Sequence, residues 1–95
     1  MVVIAPDFAE GWNRRATLYF LMDDYSNSLA DIETTLALEP RHFGALSGLA
    51  AIMQRIGREK DALDTWYKVL EVYPANKQAQ QAVIILEDAL AGRKT

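Results

Sequence analysis

Apolar side chains along this chain recur at spacings of three and four, with polar residues between them, as in helices that each bury one stripe. From Ala9 to Met22 the stripe is Trp12, Ala16 and Tyr19; from Tyr25 to Leu38 it is Ser28, Leu29, Ile32, Thr35 and Leu36. A second pair follows, with Leu46, Leu49, Ala50 and Met53 inward on its first helix and Ala62, Leu63, Trp66, Val69 and Leu70 on its second. A last helix from about Asn76 to Leu90 presents Ala79, Val83, Leu86 and Leu90. Asp23-Asp24 supply a turn and a helix start. Gly57 ends the third helix, since glycine tolerates the left-handed conformation common there, and Gly92 with Arg93-Lys94 ends the last.

Prolines punctuate this pattern at positions 6, 40 and 74, a spacing of 34 residues each time. Val3-Ile4-Ala5-Pro6, Ala37-Leu38-Glu39-Pro40 and Glu71-Val72-Tyr73-Pro74 fall in register, each like a helix end stopped by a residue that lacks an amide hydrogen and disfavours helix before it. A stop at equal intervals implies one recurring unit. Two hairpins and a closing helix, each amphipathic, bury a continuous core only by stacking, so the fold class is an all-α solenoid.

Composition narrows the function. With 95 residues, 51% hydrophobic and 24% charged, the chain suits one compact unit. A unit of this size buries roughly 60–70% of its unfolded surface, enough for a core but not a deep cavity, so any ligand sits in an open groove. Thirteen acidic and ten basic residues give a net charge of −3, and no Lys/Arg run offers a phosphate footprint, so nucleic acid is not an expected partner. The absence of Cys removes disulfides, thiolate metal sites and thiol nucleophiles without fixing the compartment; a cytoplasmic placement is favoured, with a periplasmic or exported one left open. Apolar runs such as Ala82 to Leu86 fall far short of the about 20 residues of a membrane span.

The 34-residue period and the residues on it resemble the tetratricopeptide repeat (TPR) family, whose signature is Trp, Leu-Gly, Tyr, Ala, Phe, Ala, Pro. The resemblance covers nearly the whole chain. Trp12, Tyr19, Tyr25 and Pro40 match in the first unit, with Ala16 and Ser28 at small-residue sites; Leu49, Ala50, Gly57, Ala62 and Pro74 match in the second. Arg15 stands at a usual Leu, Asp23 at a usual Gly, Thr35 and Val69 at the second-helix Ala, and Met53 at an aromatic. Arg15 fits if its stem lies along the core with its charged head in water. The resemblance implies a right-handed superhelical stack of antiparallel helical hairpins in one domain, 1–95: a preceding repeat's tail (1–8), repeats at 9–42 and 43–76, a closing helix (77–91) and a tail (92–95). Because Val2 to Pro6 aligns with the tail of a second helix, the chain is expected to be part of a longer repeat protein.

The resemblance also implies a concave groove lined by the first helices. Glu10, Asn13, Thr17, Phe20 and Leu21 share a spacing with Gly44, Ser47, Ala51, Gln54 and Arg55, and the closing helix adds Gln78, Gln81, Ile85 and Asp88. The expected occupant is an extended or helical segment of a partner protein. Some members grip a C-terminal carboxylate with Lys and Asn on this face; the corresponding Asn13, Thr17, Gly44, Ser47 and Ala51 do not make that clamp. Arg14, Arg41 and Arg55 are either donors to an acidic segment or solvated surface. The small residues Gly44, Ala45, Ser47, Gly48, Ala50 and Ala51 admit either a partner's side chain or bulky neighbours such as Phe20 and Trp66.

Catalytic chemistry finds little support. His42 lacks the second His or Cys of a metal set and an orienting partner for base catalysis, so it reads as a turn residue. Asp23-Asp24 serve a turn, and Asp61 with Asp64 an exposed helix face, without calcium-loop spacing. No enzyme activity, cofactor or metal is expected. Ile84 and Ile85 lie beside the inward stripe of the closing helix, where an exposed apolar patch either supports a homodimer or is covered by residues beyond this chain. The leading reading is a non-catalytic protein-interaction scaffold; the alternatives are a self-associating or structural module and an accessory part of an enzyme whose catalytic domain lies elsewhere.

Overall fold

Five helices follow from these signals in a computed structural model that describes residues 3–92: α1 (Ala9–Leu21), α2 (Tyr25–Leu38), α3 (Phe43–Arg55), α4 (Glu59–Val72) and α5 (Lys77–Ala91). There are no strands among the described residues. The residues preceding α1, α3 and α5 are Phe8, His42 and Asn76, again 34 positions apart. Asn76 Oδ1 accepts from the Ala79 amide at 3.1 Å, and His42 Nδ1 accepts from the Ala45 amide at 3.0 Å, so two first helices carry side-chain caps for otherwise unpaired amides. Asp24 caps α2 through the Asn27 amide.

The hairpin turns depend on backbone geometry that few residues accept. Gly57 has φ +85°, and Asp23, 34 residues earlier, has φ 59°. Aspartate is among the side chains that tolerate this region, and here its Oδ1 also accepts from the Tyr25 hydroxyl at 3.1 Å. Residues 3–5, expected to continue a preceding helix, carry no regular structure. The expectations at Val2, Arg93 and Lys94 fall outside the described residues.

Antiparallel hairpins α1/α2 and α3/α4 stack, and α5 packs on α4. One core cluster gathers Leu46, Ala50, Ala62, Trp66, Val69, Ala79, Val83 and Leu86; another gathers Ala16, Ile32, Ala45 and Ile52. Helix α3 feeds both, with Leu46 and Ala50 turned to one cluster and Ala45 and Ile52 to the other. The single-stripe reading of α3 omitted Ile52, which is wholly buried. A helix inside a stack has two neighbours to cover. The result is an elongated body of 49 × 26 × 18 Å.

The first hairpin departs from an all-apolar plan. Of Trp12, Ala16 and Tyr19, only Ala16 is buried. Arg15 does not send its head to water: Nε and Nη2 donate to Asp31 Oδ2 and Oδ1 at 2.7 and 2.8 Å, and Asp31 is 3% exposed. The guanidinium lies 5.2 Å from the Trp12 ring centre and 5.7 Å from that of Tyr19, so both rings cover a cation instead of entering the core. The hydrogen bond to Asp31 is the main cause that raises the Arg15 pKa. Beside this pair, the buried Ser28 hydroxyl donates to the Ala16 carbonyl at 2.7 Å.

Candidate functional site

Where α1 and α3 run side by side, their exposed faces leave a groove of about 280 Å³. Helix α1 contributes Asn13, Ala16, Thr17 and Phe20, α3 contributes Gly44, Ser47, Gly48 and Ala51, α2 supplies Ser28 and Ile32, and α5 supplies Gln78. Seven of the residues expected from sequence therefore meet around one concavity: Asn13, Thr17, Phe20, Gly44, Ser47, Ala51 and Gln78.

The sequence reading missed the floor. Ala16, Ser28 and Ile32 belong to the inward stripes, yet with Gly48, whose small size left either role open, they reach the groove through the gap that small side chains leave. The signal for them was the stripe of small residues itself. A Cβ on Gly48 would come within 3.4 Å of Ile32 Cδ1, and one on Gly44 within 3.1 Å of His42 Cε1 and 3.2 Å of Asn13 Nδ2. Ile32, His42 and Asn13, not the expected Phe20 and Trp66, are thus what those two glycines make room for.

Other expected lining residues are elsewhere. Gln54 turns inward, its Oε1 accepting from Trp66 Nε1 at 2.8 Å, because a buried indole N–H requires an acceptor. Arg55 sits 5.5 Å over the Phe20 ring without lining the groove. Leu21, Gln81, Ile85 and Asp88 are exposed outside it. Glu10 belongs to an adjoining hollow with Arg41 and His42. There His42 Nε2 lies 3.2 Å from Glu10 Oε2; since Nδ1 accepts a backbone amide, the Nε2–H tautomer donates to that carboxylate. His42 is thereby a helix cap tied to α1, a more specific role than a turn residue.

The polar character of the groove is neutral. No charged side chain lines it, and Asn13, Thr17, Ser28, Ser47 and Gln78 supply amide or hydroxyl groups. Ser28 and Thr17 spend their hydroxyls on the Ala16 and Asn13 carbonyls. Ser47 Oγ is shut off from solvent and has no hydrogen-bond partner among the described residues. A hydroxyl in that state leaves a donor and two acceptor sites unused.

Outside the groove, Ile84 and Ile85 on α5 are 66% and 64% exposed. Among the described residues no group of three or more His, Cys, Asp or Glu side chains could hold a metal ion, and no helix is long and apolar enough to cross a membrane.

No protein-family model matches the chain. A TPR repeat-containing protein of Rhizobium etli is 50% identical over 94 residues, which span 99% of this chain and 46% of the relative, so the chain covers about half the length of that protein. Among solved structures, the first TPR of Spaghetti (RPAP3), bound to the HSP90 peptide SRMEEVD, superposes with a TM-score of 0.84 at 24% identity, covering 90% of this chain and 68% of the other. Helical hairpins on a 34-residue period, with that likeness running along nearly the entire sequence, place this chain in the tetratricopeptide repeat family.

Proposed function

We propose that the chain is a non-catalytic interaction module that seats a segment of a partner protein in the groove between α1 and α3. The observation that carries this reading is the open concavity, apolar at its floor and rimmed by hydrogen-bonding side chains, on a rigid helical scaffold. Pockets that bind polypeptide segments have this build, with apolar area for affinity and a few polar groups for orientation. A fold neighbour whose structure holds a peptide supports it further.

The test is capture of partners from source lysate with the chain as bait. Thr17→Tyr, on an exposed position of α1, fills the groove without entering the core. A partner held by the wild type and lost with Thr17→Tyr supports the groove; a partner retained by it moves the site to another face.

A second reading, self-association through α5, is favoured by Ile84 and Ile85, adjacent and both about two-thirds exposed. Light scattering across a concentration series separates the two. Under this reading wild type gains mass with concentration and Ile84→Glu/Ile85→Glu remains a monomer; a constant monomer mass for wild type removes it.

A further inference from the structure

The chemistry of the groove specifies more than its shape. Resting on the segment-binding reading above, we infer that it takes an uncharged stretch from within a partner chain, one aliphatic side chain on its floor and main-chain peptide groups against its polar rim, and that it rejects a chain-terminal carboxylate.

Three observations converge. First, every lining side chain is neutral: Arg55 is stacked on Phe20 outside the lining, and Arg41 lies in the adjoining hollow together with Glu10 and Glu39. A carboxylate entering there would lose hydration without gaining a countercharge, an unfavourable exchange. The chain's own net charge of −3 adds long-range repulsion against acidic segments. Second, Ser47 Oγ is buried at the groove and unpartnered among the described residues. After a χ1 rotation that turns this closed-off hydroxyl to the groove, a peptide carbonyl or amide is the neutral group that completes it, and the side-chain amides of Asn13 and Gln78 can each both donate and accept toward the same backbone. Third, about 280 Å³ lies just below the roughly 300–1,000 Å³ of pockets that enclose a whole drug-sized ligand. That volume suits one side chain with its flanking peptide groups, set on the apolar surface of Ile32, Gly48 and Ala51.

The experiment is a display selection against the purified chain with two random heptapeptide pools, one flanked by linker at both ends and one ending in a free carboxylate. Selected peptides, and SRMEEVD as an acidic probe, are then measured by fluorescence anisotropy against wild type, Ala51→Phe, Thr17→Tyr, Ser47→Ala and the remote Ile84→Glu/Ile85→Glu, all checked for helicity. The expected result is enrichment from the internal pool alone, with Leu, Ile, Val or Met at a fixed position. Affinity should change less than about twofold between roughly 0.05 and 0.5 M salt, since no ion pair is there to be screened. It should weaken about tenfold or more with Ala51→Phe or Thr17→Tyr, several-fold with Ser47→Ala, and not with the remote variant.

Two outcomes overturn the inference in distinguishable ways. If free-carboxylate peptides or SRMEEVD bind better, lose affinity steeply with salt and are blocked by Thr17→Tyr, the groove binds segments but its assigned chemistry is wrong. If neither pool enriches, or binding survives both Thr17→Tyr and Ala51→Phe, the groove reading itself fails and takes this inference with it.

Discussion

At the scale of single residues, two substitutions away from the repeat pattern have unequal consequences. Asp23 holds φ 59° where the equivalent turn has Gly57. Glycine removes the cost of placing a Cβ in that region but adds unfolded-state freedom and loses the Tyr25 hydroxyl contact. The strain outweighs the lost surface hydrogen bond, so Asp23→Gly is expected to stabilise the fold by about 0.5 kcal/mol, measured by urea unfolding, and Gly57→Ala to destabilise it by about 1 kcal/mol. Arg15 and Asp31 form the other departure. Arg15→Leu alone restores the usual repeat residue but strands a nearly buried carboxylate, and is expected to lower the midpoint of urea unfolding. Arg15→Leu with Asp31→Leu should regain most of that loss, because well-packed apolar side chains commonly match a buried ion pair. A double variant no better than the single would show that the pair itself specifies this hairpin.

At the scale of helices, the chain was legible where the signal is local and opaque where it depends on a neighbour. The 34-residue proline spacing and the turn residues placed α1, α2 and α5 to within a residue or two and the end of α3 at Gly57, because stops and turn conformations act over a few bonds. What a helix touches is not local. Nothing in the sequence of α2 marks the charged Asp31 as buried, and only the approach of Arg15 from α1 explains it. Gln54 likewise left the groove face because Trp66, twelve residues on, needed an acceptor. The Ala16 and Ile32 floor became visible only when α1, α2 and α3 were assembled.

The α4–α5 contact has a pH dependence that belongs at this scale. The Tyr67 hydroxyl donates to Glu87, and this hydrogen bond, ahead of desolvation and nearby carboxylate charge, raises the phenol pKa above its ordinary 10.0. A group whose folded pKa is raised contributes stability below its unfolded pKa and loses it as pH rises through the folded value. The α5 contact should therefore weaken in alkali above pH 10. Phenolate absorbance, taken as the difference between wild type and Tyr67→Phe, should titrate above the free-tyrosine range and return toward it in Glu87→Ala.

At the scale of the molecule, the stack is made of unequal parts. The cluster spanning α3, α4 and α5 holds eight buried residues, Trp66 among them, whereas the one joining α1 and α2 to α3 holds four. Most packing joins helices adjacent in the chain, so stability is close to a sum over neighbours and the weaker end can open without the stronger. Helix α3 carries one wall of the groove and α1 the other. A partner bridging both walls would hold the looser hairpin against the firmer block. Tension applied along the 49 Å axis would then peel the α1/α2 hairpin away first, and the bound segment would act as a latch against that mechanical failure.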